Sequence, residues 1–207
     1  MYFIFFVILF SIVSCQNKEI VVNIEDGQVK GELVELRGKT IHVFKGIRFG
    51  KPPVGHLRFK RPEKVDKWTD VYDATTEKNS CYQVVLNFGV PNMNEDCLFL
   101  NVWAPHNAKD KPVMVWFYGG GLQIGSIWQI IYNALPLATF DVVVVAVNYR
   151  VGPLGFLYDG TDEAPGNVGL YDQLLALKWV RKISDLLCYL NFYIQGSSKY
   201  TSVWRKS

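Results

Sequence analysis

"VWFYGGGLQIGS", residues 115–126, runs a bulky apolar segment directly into three consecutive glycines. Such a segment reads as a buried strand, and glycines at its end read as a turn in which the backbone must come close to something or take positive φ. Outward from this point the pattern repeats. "LFLNVWA" (98–104), "PVMVWFY" (112–118) and "VVVVAVNY" (142–149) are three strong apolar runs, the last two nearly continuous, as expected of strands covered on both faces. Between them "WQIIYNALPLATF" (128–140) is expected to be helical, limited by Pro136. After them "GNVGLYDQLLALKWVRKI" (166–183) is the best helix, with Leu170, Leu174, Leu177, Val180 and Ile183 at spacings of three or four. Upstream, "EIVVNIEDGQVKGELVEL" (19–36) and "KTIHVFKGIRF" (39–49) read as antiparallel strands, and the proline-rich 50–68 as irregular. This order predicts an α/β fold, a mixed and mostly parallel sheet with antiparallel N-terminal strands.

Three roles are open to Gly119, Gly120 and Gly121. Their amides can cradle a phosphate, they can face the oxyanion of an acyl-transfer intermediate, or the turn can serve only the packing of strand and helix. The phosphate role fits poorly. "GGGLQIG" is not G-x-G-x-x-G, and no G-K-[ST] follows. Asp141, at the spacing of a ribose-binding acid, precedes a strand instead of ending one. The oxyanion role matches the HGGG-type loop of lipases and esterases, with Tyr118 in place of the histidine.

The chain has 207 residues, 49% hydrophobic and 20% charged, as in an ordinary globular protein. Its net charge of +3 is spread among both signs, so no footprint for nucleic acid is evident. Residues 1–15, "MYFIFFVILFSIVSC", carry no charged side chain, and their apolar run is too short to cross a bilayer. They fit a secretory signal peptide, which puts the mature chain in an oxidising, extracellular compartment. Cys81, Cys97 and Cys188 then remain, and Cys81–Cys97 would close a short loop, a pairing that spacing alone leaves open. No His/Cys cluster has metal-ligand spacing and no cofactor is implied.

"GIRFGKPPVGHLRFKRP" (46–62), "NEDCLFLNVWAP" (94–105), "VWFYGGG" (115–121), "VVVVAVNYRVGPLGFL" (142–157) and "PGNVGLYDQLLALKWV" (165–180) together resemble the type-B carboxylesterase and cholinesterase family, over its N-terminal part. The resemblance implies an α/β-hydrolase domain over residues 16–183 and hydrolysis of small carboxylic esters by a serine–acid–histidine triad. It implies that Gly120 and Gly121 supply oxyanion-hole amides and that Cys81 pairs with Cys97. It also implies two buried ion pairs, Arg58 with Glu95 and Arg150 with Asp172, charges that the residues alone equally permit as solvated loop ends. Cholinesterases hold choline on a tryptophan of the first disulfide loop. Here "YQVVLNFGVPNMNED" (82–96) has none, Phe88 being the nearest substitute, so general carboxylic esters are favoured.

The triad itself is missing. Among Ser80, Ser126, Ser184, Ser197, Ser198, Ser202 and Ser207 none stands in G-x-S-x-G; Ser198 has Gly196 before it but Tyr200 after it. An α/β-hydrolase places its histidine after the serine. His42, His56 and His106 all lie upstream, where surface roles are expected, and no carboxylate side chain follows Asp185. Residues 184–207 form a divergent tail without a family motif. By itself the chain is expected to be inactive. A non-catalytic binding or adhesion protein, or a non-functional truncated product, are the alternatives. Without the family's next strand, "VVVVAV" is expected to carry an unpaired, aggregation-prone edge.

Overall fold

A computed structural model describes residues 18–84, 90, 92–108, 111–186 and 193–194. The expected signal peptide, Phe88, Cys188, Ser197 and Ser198 lie outside the described residues. The strands are β1 (Lys18–Ile24), β2 (Gly27–Leu36), β3 (Lys39–Arg48), β4 (Tyr72–Asp73), β5 (Ser80–Cys81), β6 (Met93–Asn94), β7 (Phe99–Pro105), β8 (Pro112–Phe117), β9 (Val143–Val147) and β10 (Tyr193–Ile194). The helices are α1 (Leu135–Ala138), α2 (Gly152–Phe156) and α3 (Val168–Leu186).

One mixed sheet runs β1-β2-β3-β7-β9-β8-β10, with β4 beside β2, and β5 pairs separately with β6. Its balance is antiparallel. The pairs β1/β2, β2/β3, β3/β7 and β7/β9 are antiparallel, while β8/β9, β8/β10 and β2/β4 are parallel. The sequence reading gave more weight to the parallel part, whose longest pairing comes where the crossover through α1 brings β9 back beside β8. The segment 19–36 divides into two strands at Gly27, as the glycine predicts: it turns at Glu25–Asp26, and Gly27 has φ +143° with its Cβ position 2.5 Å from the Trp68 ring.

The edge expectation is corrected. β9 lies inside the sheet, paired with β7 on one side and β8 on the other. All five of its residues are buried. Val143, Val145 and Val147 face the cluster under α3, and Val144 and Ala146 face the opposite cluster with Ile41, Trp103, Tyr118 and Tyr149. The edge belongs to β8, which β10 covers only at Pro112 and Val113 among the described residues, and there Met114 and Trp116 are about half exposed. Order along the chain does not set order across a sheet, because β9 inserts between β7 and β8.

The helices depart from expectation too. Residues 128–140 form a short 3-10 turn at Ile130–Tyr132 and the four-residue α1, with Pro136 in its first turn. In α3 the buried stripe is Val168, Asp172, Ala176, Trp179, Val180 and Ile183, whereas Leu170, Leu174 and Leu177 are 37–46% exposed. A charged residue sits in the N-terminal half of the core-facing stripe, so apolar periodicity chose the right positions at Val180 and Ile183 and the neighbouring, exposed ones at the three leucines.

His42 is also corrected. It is buried on β3, and its Nε2 lies 2.9 Å from Nδ1 of His106, one nitrogen donating and the other accepting. His56 stays exposed. Burial, and then the charge of His106, push His42 down to about 4. The unfolded chain takes up this proton near the ordinary value of about 6.5 and the folded chain refuses it. The His42 contribution is therefore complete above pH ~6.5 and is lost as pH falls towards 4. Urea midpoints should drop across that window, and His42→Gln should flatten the drop.

Candidate active site

Parallel strands end together, and the C-terminal ends of β8 and β9 bring Tyr118 beside Tyr149. The two rings stack with centroids 4.6 Å apart. Tyr118 Oη donates to the Tyr149 carbonyl and Tyr149 Oη donates to the Tyr118 carbonyl, each at 2.8 Å. Burial pushes both phenols above their ordinary range, so both remain protonated donors. The position where a HGGG loop has histidine is thus occupied by a buried tyrosine that ties β8 to β9.

The glycine loop leaves this clasp and is exposed from Gly119 to Gln123. Gly120 has φ +141°, and Gly121 and Leu122 both have φ +61°. At Gly120 a Cβ would stand 2.0 Å from the Ile124 carbonyl oxygen, so glycine is required by both backbone angle and space. At Gly121 nothing lies within 4 Å of that position. The Gly120 carbonyl accepts from Gln123 and Ile124, and the Leu122 carbonyl accepts from Gly152 of α2 at 2.7 Å. Among the described residues no group accepts from the Gly120 or Gly121 amides. Two free amides on a turn at the carboxyl end of parallel strands form a donor set suited to a developing negative oxygen. Asp141 sits elsewhere, at φ +61° before β9 and 3.3 Å from Lys39 Nζ, so it does not attend the loop as a ribose-type carboxylate.

Beneath the loop the structure joins Cys81 to Cys97 in a disulfide, 16 residues apart. A loop of about this size contributes roughly 3 kcal/mol by restricting the unfolded chain. Cys97→Ser should lower the unfolding free energy by about that amount, and wild-type protein in reductant should show the same shift of its urea midpoint.

The two expected ion pairs differ. Arg150 and Asp172 are buried, with side chains 4% and 0% exposed. Arg150 Nε and Nη2 donate to the carboxylate at 2.8 and 2.7 Å, and the Arg150 amide adds a third bond at 2.9 Å. Burial pushes the Asp172 carboxyl up, against these bonds, which pull it down. Arg58 grips Glu95 through Nε and Nη2 at 2.6 and 2.7 Å, but its side chain is 47% exposed. This pair is a surface one, not the buried one expected.

Sequence reasoning missed a set of buried polar side chains around the loop. Asn148 Oδ1 accepts from the Ile127 amide, and Ser80 Oγ lies 2.7 Å from Ser126 Oγ. Gln83 holds both backbone groups of Gly125. Single polar residues carry no periodic signal, and only their contacts reveal them. Among the described residues no group of three His, Cys, Asp or Glu could hold a metal ion, and no helix is long and apolar enough to cross a membrane.

The profile of the carboxylesterase family matches residues 18–184. The chain is 43% identical over 183 residues to a cholinesterase of Mus musculus, covering 82% of this chain and 30% of the relative. It is 40% identical over 193 residues to an acetylcholinesterase of Leptinotarsa decemlineata, covering 78% and 31%. An acetylcholinesterase of Bungarus fasciatus is 43% identical over 177 residues, covering 79% and 29%. The chain thus spans about three tenths of the length of these relatives.

Proposed function

This chain belongs to the carboxylesterase family, and from that premise we propose that its glycine loop is the oxyanion hole of a secreted serine ester hydrolase, incomplete within these 207 residues. Gly120 and Gly121 donate their amides to the oxygen of the tetrahedral intermediate. The attacking serine, the base and the acid are not supplied by residues 1–207, so this chain alone does not turn over esters. The observation that carries the reading is the loop itself, in which Gly120 takes a φ of +141° with no room for a Cβ and the Gly120 and Gly121 amides have no acceptor among the described residues.

General carboxylic esters are the substrate class, because the 82–96 segment offers no tryptophan for a quaternary ammonium. The apolar residues 1–15 act as the secretion signal.

Labelling with an organophosphate tests the reading. The 207-residue chain should take up none. A chain that continues the match beyond residue 184 and carries G-x-S-x-G should be labelled at that serine and hydrolyse aryl esters faster than choline esters. Stoichiometric labelling of the 207-residue chain would overturn the inactive reading. A longer chain without that serine would make the protein a binding or adhesion member of the family.

A further inference from the structure

The glycine loop is fixed at its far end by a side chain that belongs neither to the glycine run nor to a triad. Gln83 Oε1 accepts from the Gly125 amide at 2.7 Å, and Gln83 Nε2 donates to the Gly125 carbonyl at 2.8 Å. The same Nε2 donates to the Cys81 carbonyl at 2.9 Å. Two acceptors on one side and a donor on the other admit one orientation of the amide only. Gln83 is buried, so these bonds do not compete with bulk water. It treats Gly125 as a strand neighbour would, satisfying N–H and C=O together.

The next residue repeats the attachment, Ser126 Oγ lying against Ser80 Oγ in full burial. Ser80 and Gln83 flank Cys81, which the disulfide ties to Cys97. On its other side Gly125 has no room: with φ +135°, its Cβ position is 2.2 Å from the Tyr118 ring. Gly125 is therefore clamped between Gln83 and the tyrosine clasp. From there the path to the oxyanion amides is short. Gly125 follows Ile124, whose carbonyl oxygen fills the space a Cβ would need at Gly120, and whose amide donates to the Gly120 carbonyl at 3.2 Å.

We propose that Gln83 is a positioning residue for the Gly120 and Gly121 amides. By holding Gly125 it sets where Ile124 rests against Gly120, and with it the direction in which the two amides point. Its catalytic meaning rests on the oxyanion reading; the coupling is a property of the chain as it stands.

The test is to record amide signals of the 15N-labelled 207-residue protein with Gln83 replaced. Gln83→Met keeps the volume and removes all three bonds. It should move the Gly120 and Gly121 signals and speed hydrogen exchange at Gly125 by about tenfold, the scale of one lost hydrogen bond, while amides of β7 and β9 keep their shifts. Gln83→Glu should show the same displacement when ionised. It should return towards wild type when protonated, because a carboxylic acid presents one acceptor and one donor as the amide does. Unmoved Gly120 and Gly121 signals in a folded Gln83→Met protein of lower Tm would reduce Gln83 to a stabilising residue and overturn the proposal. Should Gln83→Met not fold, the pH response of Gln83→Glu decides: no return on protonation overturns it equally. Displaced signals, combined with unchanged kcat for Gly120→Ala in a longer hydrolytic chain, would sink the oxyanion reading and leave the clamp standing.

Discussion

Arg150→Ala should leave little or no folded protein. The guanidinium and main-chain amide of Arg150 make three bonds to Asp172, and both side chains are almost wholly removed from solvent. Removing one partner strands a charge in the core, which costs about 3–5 kcal/mol. Domains of this kind hold only about 5–15 kcal/mol in total. The site has no means of relaxing around the loss. Cβ positions at Gly155 of α2 and Gly169 of α3 stand 2.2 and 2.3 Å from the Arg150 carbonyl oxygen, so the backbone at 150 is gripped between two helices by contacts only glycine permits. Near-UV circular dichroism and the urea midpoint of the purified chain are the measurements. Arg58→Ala is the control: its pair with Glu95 is half exposed, and its loss should cost under about 1 kcal/mol. Equal effects from the two substitutions would refute the distinction drawn from burial.

Gly120→Ala should act on chemistry more than on the fold. The added methyl meets the Ile124 carbonyl oxygen at 2.0 Å, and φ +141° is hostile to any L side chain. Relief requires the loop to rotate, which turns the two amides away from a common point. Because the loop is exposed, global stability should fall by only about 1–3 kcal/mol, the scale of local backbone strain. In a longer chain that hydrolyses esters, kcat should fall by roughly 10²–10³, as for the loss of an oxyanion donor, with a smaller change in KM. Gly121→Ala separates the steric clash from the backbone angle, since open space surrounds that position while its φ is +61°. It should strain the loop by about 1 kcal/mol, displace it less than Gly120→Ala, and obstruct what enters it. A Gly120→Ala enzyme with unaltered kcat would contradict the assignment of the loop.

Much of this architecture is legible in the chain's own residues, and the failures are instructive. "VVVVAV" announces two-sided burial, and β9 is buried on both faces. Neither its pairing partners nor the position of the edge on β8 could be read from it. The α3 segment announces a helix, yet of the stripe read from its spacing only Val180 and Ile183 are buried, and the three leucines are exposed. Asp172 interrupts the buried stripe, and its compatibility with the core depends on Arg150, 22 residues away. His42 looked like a surface residue because its partner, His106, is 64 positions distant. Gln83 gave no signal at all, being one amide in an unremarkable segment.

Short-range chemistry therefore belongs to the primary structure: where most strands and α3 form, that the turn after β8 is built of glycine, that no serine stands in G-x-S-x-G, and the motifs that resemble the carboxylesterase family. The order of strands across the sheet, the buried face of α3, the pairing of distant charges and the clamp on Gly125 belong to the folded molecule. Periodicity and steric limits act within a few residues of the chain and can be read along it. Adjacency across 22 to 64 residues is set by which surfaces bury one another, and no local pattern encodes that choice.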